Sequence, residues 1–286
     1  MADLYLGIET GGTKVVAGVA RFTDGRPSLV GPEIVVPTLQ PDQTLDAVFA
    51  GVAGIAPLSG IIGMGIGSFG PVDLSEGRML TTPKPGWSGF PLADALRSRL
   101  PVPLGFDTDV NAAALAEHRW GAAQGVEVAV YITVGTGIGG GLVVNGVPVH
   151  GLLHPEMGHV LVPRRTGDDF EGTCEVHGAC MEGMAAGPSI QRRWGMPGES
   201  LPDDHPAWDM AAWYLGVGMT QVTLALSPQV IVMGGGVMQR VPLEAVSRHL
   251  QATLDGYVPA PPVVAPHAAR PGLLGAFALA AEAARP

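Results

Sequence analysis

Charge is scarce in this chain and leans acidic: Asp and Glu number 26 against 16 Lys and Arg, together 15% of 286 residues. The formal charge of −10 disfavours a nucleic-acid partner, whose phosphate backbone it would repel. It leaves nucleotide binding open, because that needs only local donors and a metal ion. Long apolar runs are missing too. A membrane helix needs roughly 20 residues, and the best stretch, residues 272–284, is too short. No basic region precedes the strand-like opening, residues 1–7, so no signal peptide is expected. A Walker A sequence, G-x-x-x-x-G-K-[ST], is absent. These absences describe an expected cytoplasmic protein with neither a nucleic-acid nor a membrane partner.

What the chain has in quantity is glycine, with 42 copies, and apolar side chains, at 47%. Its length suits two domains sharing a cleft. A coarse internal repeat supports that division. Residues 4–20 read strand, Gly-rich turn, strand, and residues 127–144 read the same way. The rest alternates in an α/β manner. Helices are expected at 44–55, 92–100, 110–120, 184–194, 208–226, 243–254 and from 273. Strands are expected at 63–68, 104–106, 230–233 and 263–264, and Asn145-Gly146 signals a tight hairpin. Residues 153–183 form an irregular excursion rich in His and Cys.

Three groups of residues carry chemistry. In the turns Thr10-Gly11-Gly12-Thr13-Lys14 and 133–141, small residues let backbone N–H groups converge on an anion. Gly135, Gly137 and Gly140 formally match G-x-G-x-x-G, but that fingerprint needs a helix after the glycines. A strand running into a hairpin follows instead, so the dinucleotide reading fails. Asp107-Thr108-Asp109-Val110-Asn111 ends an apolar strand and opens a helix. An aspartate there can simply cap the helix, yet two aspartates and an asparagine exceed what capping needs. One of them suits the base that a kinase requires. Finally, Cys174-x-x-His177-x-x-Cys180 places three zinc ligands together, with His159 upstream and His154 as its competitor. Two thiolates and two imidazoles would make a closed, structural site. A small disulfide loop, or two buried cysteines beside unrelated histidines, are the plainer alternatives.

In their order, the segments GIETGGTK, DVNAAALAE, TVGTGIGGG, E-x-G-H with the cysteine cluster, and GGGV resemble the ROK group of sugar kinases and repressors, within the actin-like ATPase superfamily. The form HPEMGH followed by CEVHGACMEG, and the stretch TTPKPGW, are similar to the group's zinc-containing bacterial fructokinases. The resemblance implies an α/β fold of two RNase H-like lobes around a central cleft, with a zinc-binding excursion in the second lobe. The expected lobes are 1–118, with a helix at about 274–286 packing back on it, and 119–273. It implies that Asp109 is the base, that Asn111 shapes the sugar pocket, and that Glu156, His159 and Glu182 reach sugar hydroxyls. Phosphate contacts would fall on Gly11, Gly12, Thr13, Lys14, Thr136 and Gly137, and the adenosine-side turn on Gly235 and Gly236. His159, Cys174, His177 and Cys180 would hold zinc, and magnesium would accompany ATP. Dimers are common among such relatives.

Three departures bear on specificity. Glu9 stands where many members have Asp. Thr108 stands where glucose- and N-acetylmannosamine-type members place a sugar-binding Asn, and His177 where they use a third Cys. The last two favour fructose over glucose, mannose, allose or an amino sugar. A sugar-sensing repressor or non-catalytic sensor is the reading from another class. A repressor needs a DNA-binding segment ahead of the first phosphate turn, and the residues before Gly7 leave no room for one.

Overall fold

A computed structural model describes residues 3–285; Met1, Ala2 and Pro286, at the ends of the expected lobes, lie outside the described residues. The chain divides into two compact units. The first comprises the chain up to Gly121, Val147–His154 and the segment from Ala268 on, and the second Ala122–Gly146 and Pro155–His267. The Asn145-Gly146 turn expected from the sequence, with φ of 51° and 79°, leads into the two-residue strand β11 (Val147–Pro148). The rest of the short excursion, up to His154, had no signal in the sequence pattern.

Unit 1 is built on a sheet whose order is β3-β2-β1-β5-β8, with β4 also pairing β2. Its strands are β1 (Leu4–Thr10), β2 (Lys14–Thr23), β3 (Arg26–Leu29), β4 (Ile34–Pro37), β5 (Ile61–Ser68) and β8 (Leu104–Thr108). A small hairpin, β6 (Val72–Asp73) with β7 (Arg78–Met79), stands apart. β1 and β2 are antiparallel, whereas β5 and β8 continue in parallel on the other side of β1. Period-two alternation sends Leu6, Ile8, Val15, Ala17 and Val19 to one face. There they join α1 (Pro41–Ile55) and α2 (Leu92–Arg99) in the main core. Strands β3 and β4 escaped the sequence reading because each is four residues long and half-exposed.

The opposite face receives the last helix, α8 (Pro271–Ala283), at backbone distance. The register places Gly7 beside Gly65 and Gly65 beside Gly105, a row of three glycines across the sheet. A Cβ on Gly7 would lie 2.9 Å from the Phe277 ring, on Gly65 1.9 Å from the Ala276 carbonyl oxygen, and on Gly105 2.4 Å from that of Leu279. On the far side of α8, Gly275 meets α3 (Asp109–Trp120), where a Cβ would stand 1.8 Å from the Ala112 carbonyl oxygen. The helix thus lies in a trough that only glycine leaves open.

Unit 2 repeats the pairing scheme. Strands β9 (Val128–Val134) and β10 (Ile138–Val144) form an antiparallel hairpin, and β12 (Val230–Gly234) and β13 (Val263–Val264) follow in parallel beyond β9. The helices α6 (Ala207–Leu226) and α7 (Leu243–Leu254) pack together at Gly216, which approaches the Val246 carbonyl. The helix expected over 184–194 is two helices, α4 (Met181–Ala185) and α5 (Gly187–Trp194). Pro188 explains the break: with no N–H and a fixed φ, it belongs in a first turn. No helix among the described residues is long and apolar enough to cross a membrane.

The glycine row makes a direct prediction. Gly65→Ala must displace α8, at a cost of about 1–3 kcal/mol or more, as for an overpacked core. Urea denaturation checks this, and an unchanged midpoint would show that α8 is not seated there.

Candidate active site and metal cluster

In unit 1 the site residues lie where the sheet's strands end. The first Gly-rich turn closes β1 onto β2, with the Gly11 N–H donating to the Lys14 carbonyl at 2.9 Å. Thr38 fixes it from outside: its hydroxyl donates to the Gly11 carbonyl at 2.7 Å and its N–H to that of Thr13 at 2.9 Å. Gly12, Thr13 and Lys14 are exposed, as an anion-receiving turn requires. Glu9 is held at the first turn of α8, where a Cβ on Gly272 would fall 2.4 Å from its carboxyl carbon. Burial pushes its pKa up, opposed by Arg270 and by the Leu273 N–H.

The junction of β8 with α3 carries the aspartates. The cap of α3 is Thr108, whose hydroxyl accepts the Asn111 N–H at 3.1 Å, so the N-cap position falls to neither aspartate. Asp109 is half-buried in the first turn, its Oδ1 accepting the Val110 N–H at 2.9 Å. Asp107 is buried and serves as the hub. Its Oδ1 accepts from the Thr108 N–H (2.7 Å) and from Asn111 Nδ2 (2.8 Å), while Oδ2 pairs with His150 Nε2 at 2.9 Å. Asn111 is fully enclosed, and its Oδ1 has no partner. Flipping that amide would set its oxygen against the Asp107 carboxylate, so the orientation is fixed. The hydrogen bond to Asp107 raises the His150 pKa, against the effect of burial.

In unit 2 the second Gly-rich turn joins β9 to β10, and the strand that follows excludes the dinucleotide-binding arrangement. The turn is held at both ends, since the Gly187 N–H donates to the Gly135 carbonyl (2.8 Å) and the Ile138 N–H to Glu182 Oε2 (2.9 Å). The glycine of E-x-G-H has a steric reason: a Cβ on Gly158 would lie 1.8 Å from the Ile138 carbonyl oxygen. Glu156 beside it is exposed. At the end of β12, Gly235 adopts φ +97° and packs against Val134. A cavity of about 650 Å³ opens beside these turns, lined by Gly135, Thr136, Gly187, Gly236, Trp208 and Arg240 among others. The Arg240 guanidinium covers the Trp208 ring at 5.0 Å and pairs with Asp203 at 2.9 Å.

His159, Cys174, His177 and Cys180 bring their ligand atoms within 4.8 Å of one another. His159 Nδ1 stands 3.6 Å from each sulfur, and His177 Nδ1 3.8 Å from Cys174 Sγ. Around a tetrahedral zinc, with Zn–S of about 2.3 Å and Zn–N of about 2.0–2.1 Å, such ligands stand about 3.5–3.6 Å apart. The four side chains therefore fit a closed metal site. His159 Nε2 turns to Glu182 Oε1 at 4.0 Å, the kind of carboxylate that steadies a ligating histidine. Without a cation, burial pushes the Cys180 thiol up to about 11, against the Gly183 N–H and with Cys174 adding to the rise. The competitor His154 is elsewhere, buried in unit 1 with its Nε2 accepting the Val72 N–H at 3.2 Å. Neither cysteine is in a disulfide.

Sequence reasoning missed Thr38, His150, Trp208 and Arg240. Nothing in their local pattern signals a site, because each acts through neighbours distant in the chain.

The model of the ROK family matches residues 5–283. A fructokinase of Pediococcus pentosaceus is 38% identical over 262 residues, covering 90% of this chain and 88% of that protein. A fructokinase of Zymomonas mobilis is 38% identical over 299 residues, covering 98% and 97%. Among solved structures, the ROK hexokinase from Thermus thermophilus superposes with a TM-score of 0.77 at 32% identity, covering 98% of each chain. A ROK family glucokinase from Streptomyces griseus, in complex with glucose and AMPPNP, gives 0.79 at 27% identity, covering 98% and 99%.

The Asp107–His150 pair has a pH signature. Because folding raises the His150 pKa, its contribution is fully present below the unfolded value of about 6.5 and is lost as pH rises through the folded value. Wild type should exceed His150→Gln in stability by at most about 1 kcal/mol at low pH, the imidazole being partly exposed. The gap should close at higher pH. Urea midpoints across a pH series check this, and a pH-independent gap would contradict it.

Proposed function

The chain belongs to the ROK family and is an ATP-dependent sugar kinase, and on that premise we propose that its substrate is D-fructose, converted to fructose 6-phosphate. The observation that carries the proposal is Asp109, half-buried in the first turn of a helix capped by Thr108 rather than by an asparagine. The similarity to fructokinases over almost the whole chain supports the same choice.

The residues divide the work as phosphoryl transfer demands. Asp109 accepts the proton of the primary hydroxyl as that oxygen attacks the γ-phosphoryl group of Mg·ATP in line. Thr108, Asn111, Glu156, His159 and Glu182 are assigned to the sugar side. Gly11, Gly12, Thr13, Lys14, Thr136 and Gly137 offer N–H groups and one ammonium to the phosphates. Gly235 and Gly236, beside the cavity that contains Trp208, are assigned to the adenosine. Zinc on His159, Cys174, His177 and Cys180 is a structural cross-link and takes no step in the reaction. The free thiols of such a site suit the cytoplasm, where they stay reduced.

The proposal is tested by kcat/KM over a set of hexoses. Fructose should exceed glucose by at least about tenfold, and parity would sink the assignment. Asp109→Asn should lower kcat by several orders of magnitude with sugar binding largely kept, and near-normal turnover would refute the base. Elemental analysis of protein purified without chelator should find one zinc per chain, and Cys180→Ala should lose both metal and fold. A metal-free, folded wild type would end the zinc assignment.

A further inference from the structure

His150 is the one titratable side chain that the excursion Val147–His154 brings to the turn bearing Asp109 without a role in the reading above. Its Nε2 is committed to Oδ2 of Asp107 at 2.9 Å and lies 3.3 Å from Asn111 Nδ2. No hydrogen bond reaches its Nδ1 among the described residues, and 39% of the side chain is exposed. The excursion is pinned again at its end by buried His154, on the Val72 N–H. Asp107, only 3% exposed, makes three hydrogen bonds: one holds His150 and two hold the turn that presents Asp109.

This is an arrangement for aiming a ring. A histidine serving only as a clamp could be buried with both nitrogens satisfied. Here one nitrogen is fixed on a buried carboxylate, the other has no hydrogen bond among the described residues, and the side chain is part-exposed. We propose that His150 is a sugar-recognition residue: Asp107 fixes its ring through Nε2, and Nδ1 meets a hydroxyl of the hexose whose primary hydroxyl Asp109 deprotonates. A hydroxyl both donates and accepts, so it can pair with Nδ1 in either protonation state of the ring. Asp107 is then a positioning residue that acts through His150 and through the amide of Asn111. The proposal rests on the sugar-kinase reading, but not on which hexose is used.

The test separates recognition from clamping. A glutamine amide can occupy the place of Nε2 and keep the bond to Asp107, but it leaves the place of Nδ1 empty. With the hexose that the wild type phosphorylates best, His150→Gln should raise the sugar KM at least about tenfold, the size of one lost hydrogen bond. The KM for ATP should stay within about twofold. A wild-type sugar KM in His150→Gln, with only His150→Ala impaired, would make the residue a clamp and overturn the proposal. Wild-type protein labelled with ¹⁵N-histidine gives a second reading independent of the variants' folding. Added hexose should shift the Nδ1 resonance of His150 and leave that of His154 in place; an unmoved His150 would also overturn it. Failure of the fructose reading appears in the wild-type hexose comparison alone, and failure of this inference appears only at His150.

Discussion

The backbone-to-backbone approach of α8 to the first sheet is the constraint on which the rest of unit 1 depends. Gly7, Gly65 and Gly105 lie side by side across three strands; the helix backbone sits directly against Gly65 and Gly105, and its Phe277 ring fills the space over Gly7. Seated there, α8 meets α3 at Gly275 and Glu9 at Gly272. The helix that carries Asp109 and the strand that feeds the first Gly-rich turn are thus positioned by one element. Close packing leaves little room for compensation, because a single added methyl meets backbone atoms that cannot rotate away. An active site needs its groups held to fractions of an ångström, and this trough is where unit 1 obtains that rigidity.

Unit 2 reaches a similar end by polar means. Its irregular stretch has few regular hydrogen bonds of its own, and it gathers four His and Cys side chains whose spacing fits a metal ion. Glu182 connects two parts of that unit. One oxygen accepts the Ile138 N–H at the end of the second Gly-rich turn, and the other faces the outer nitrogen of His159. The carboxylate therefore stands between the candidate metal cluster and the turn. The role of sugar contact assigned to Glu182 has to be compatible with that bond, and a carboxylate has lone pairs enough for both.

What was legible in the sequence was what local chemistry writes there. Turn glycines, the Cys-x-x-His-x-x-Cys spacing and a cluster of Asp and Asn at a strand end are short-range patterns, and each marked a feature of the structure. The cap at Thr108 was hidden by its neighbours, since either aspartate is as good a cap as threonine. The choice between His154 and His159 could not be made from spacing, because both lie close before the cysteines and only the tertiary path separates them. His150 and Thr38 left no trace, because their meaning lies in partners 43 and 27 residues away. The broken helix at Pro188 was readable in principle from the proline alone, which belongs in a first turn.

The central claim is chemical: Asp109 directs a γ-phosphoryl group onto the primary hydroxyl at C6 of fructose. The most direct measurement is ³¹P and ¹³C NMR of the product formed from Mg·ATP and fructose by the wild-type protein, with ADP counted in parallel. The account predicts fructose 6-phosphate alone, with one ADP per molecule of product. Phosphate at another carbon, or ADP formed without a phosphorylated sugar, would contradict it.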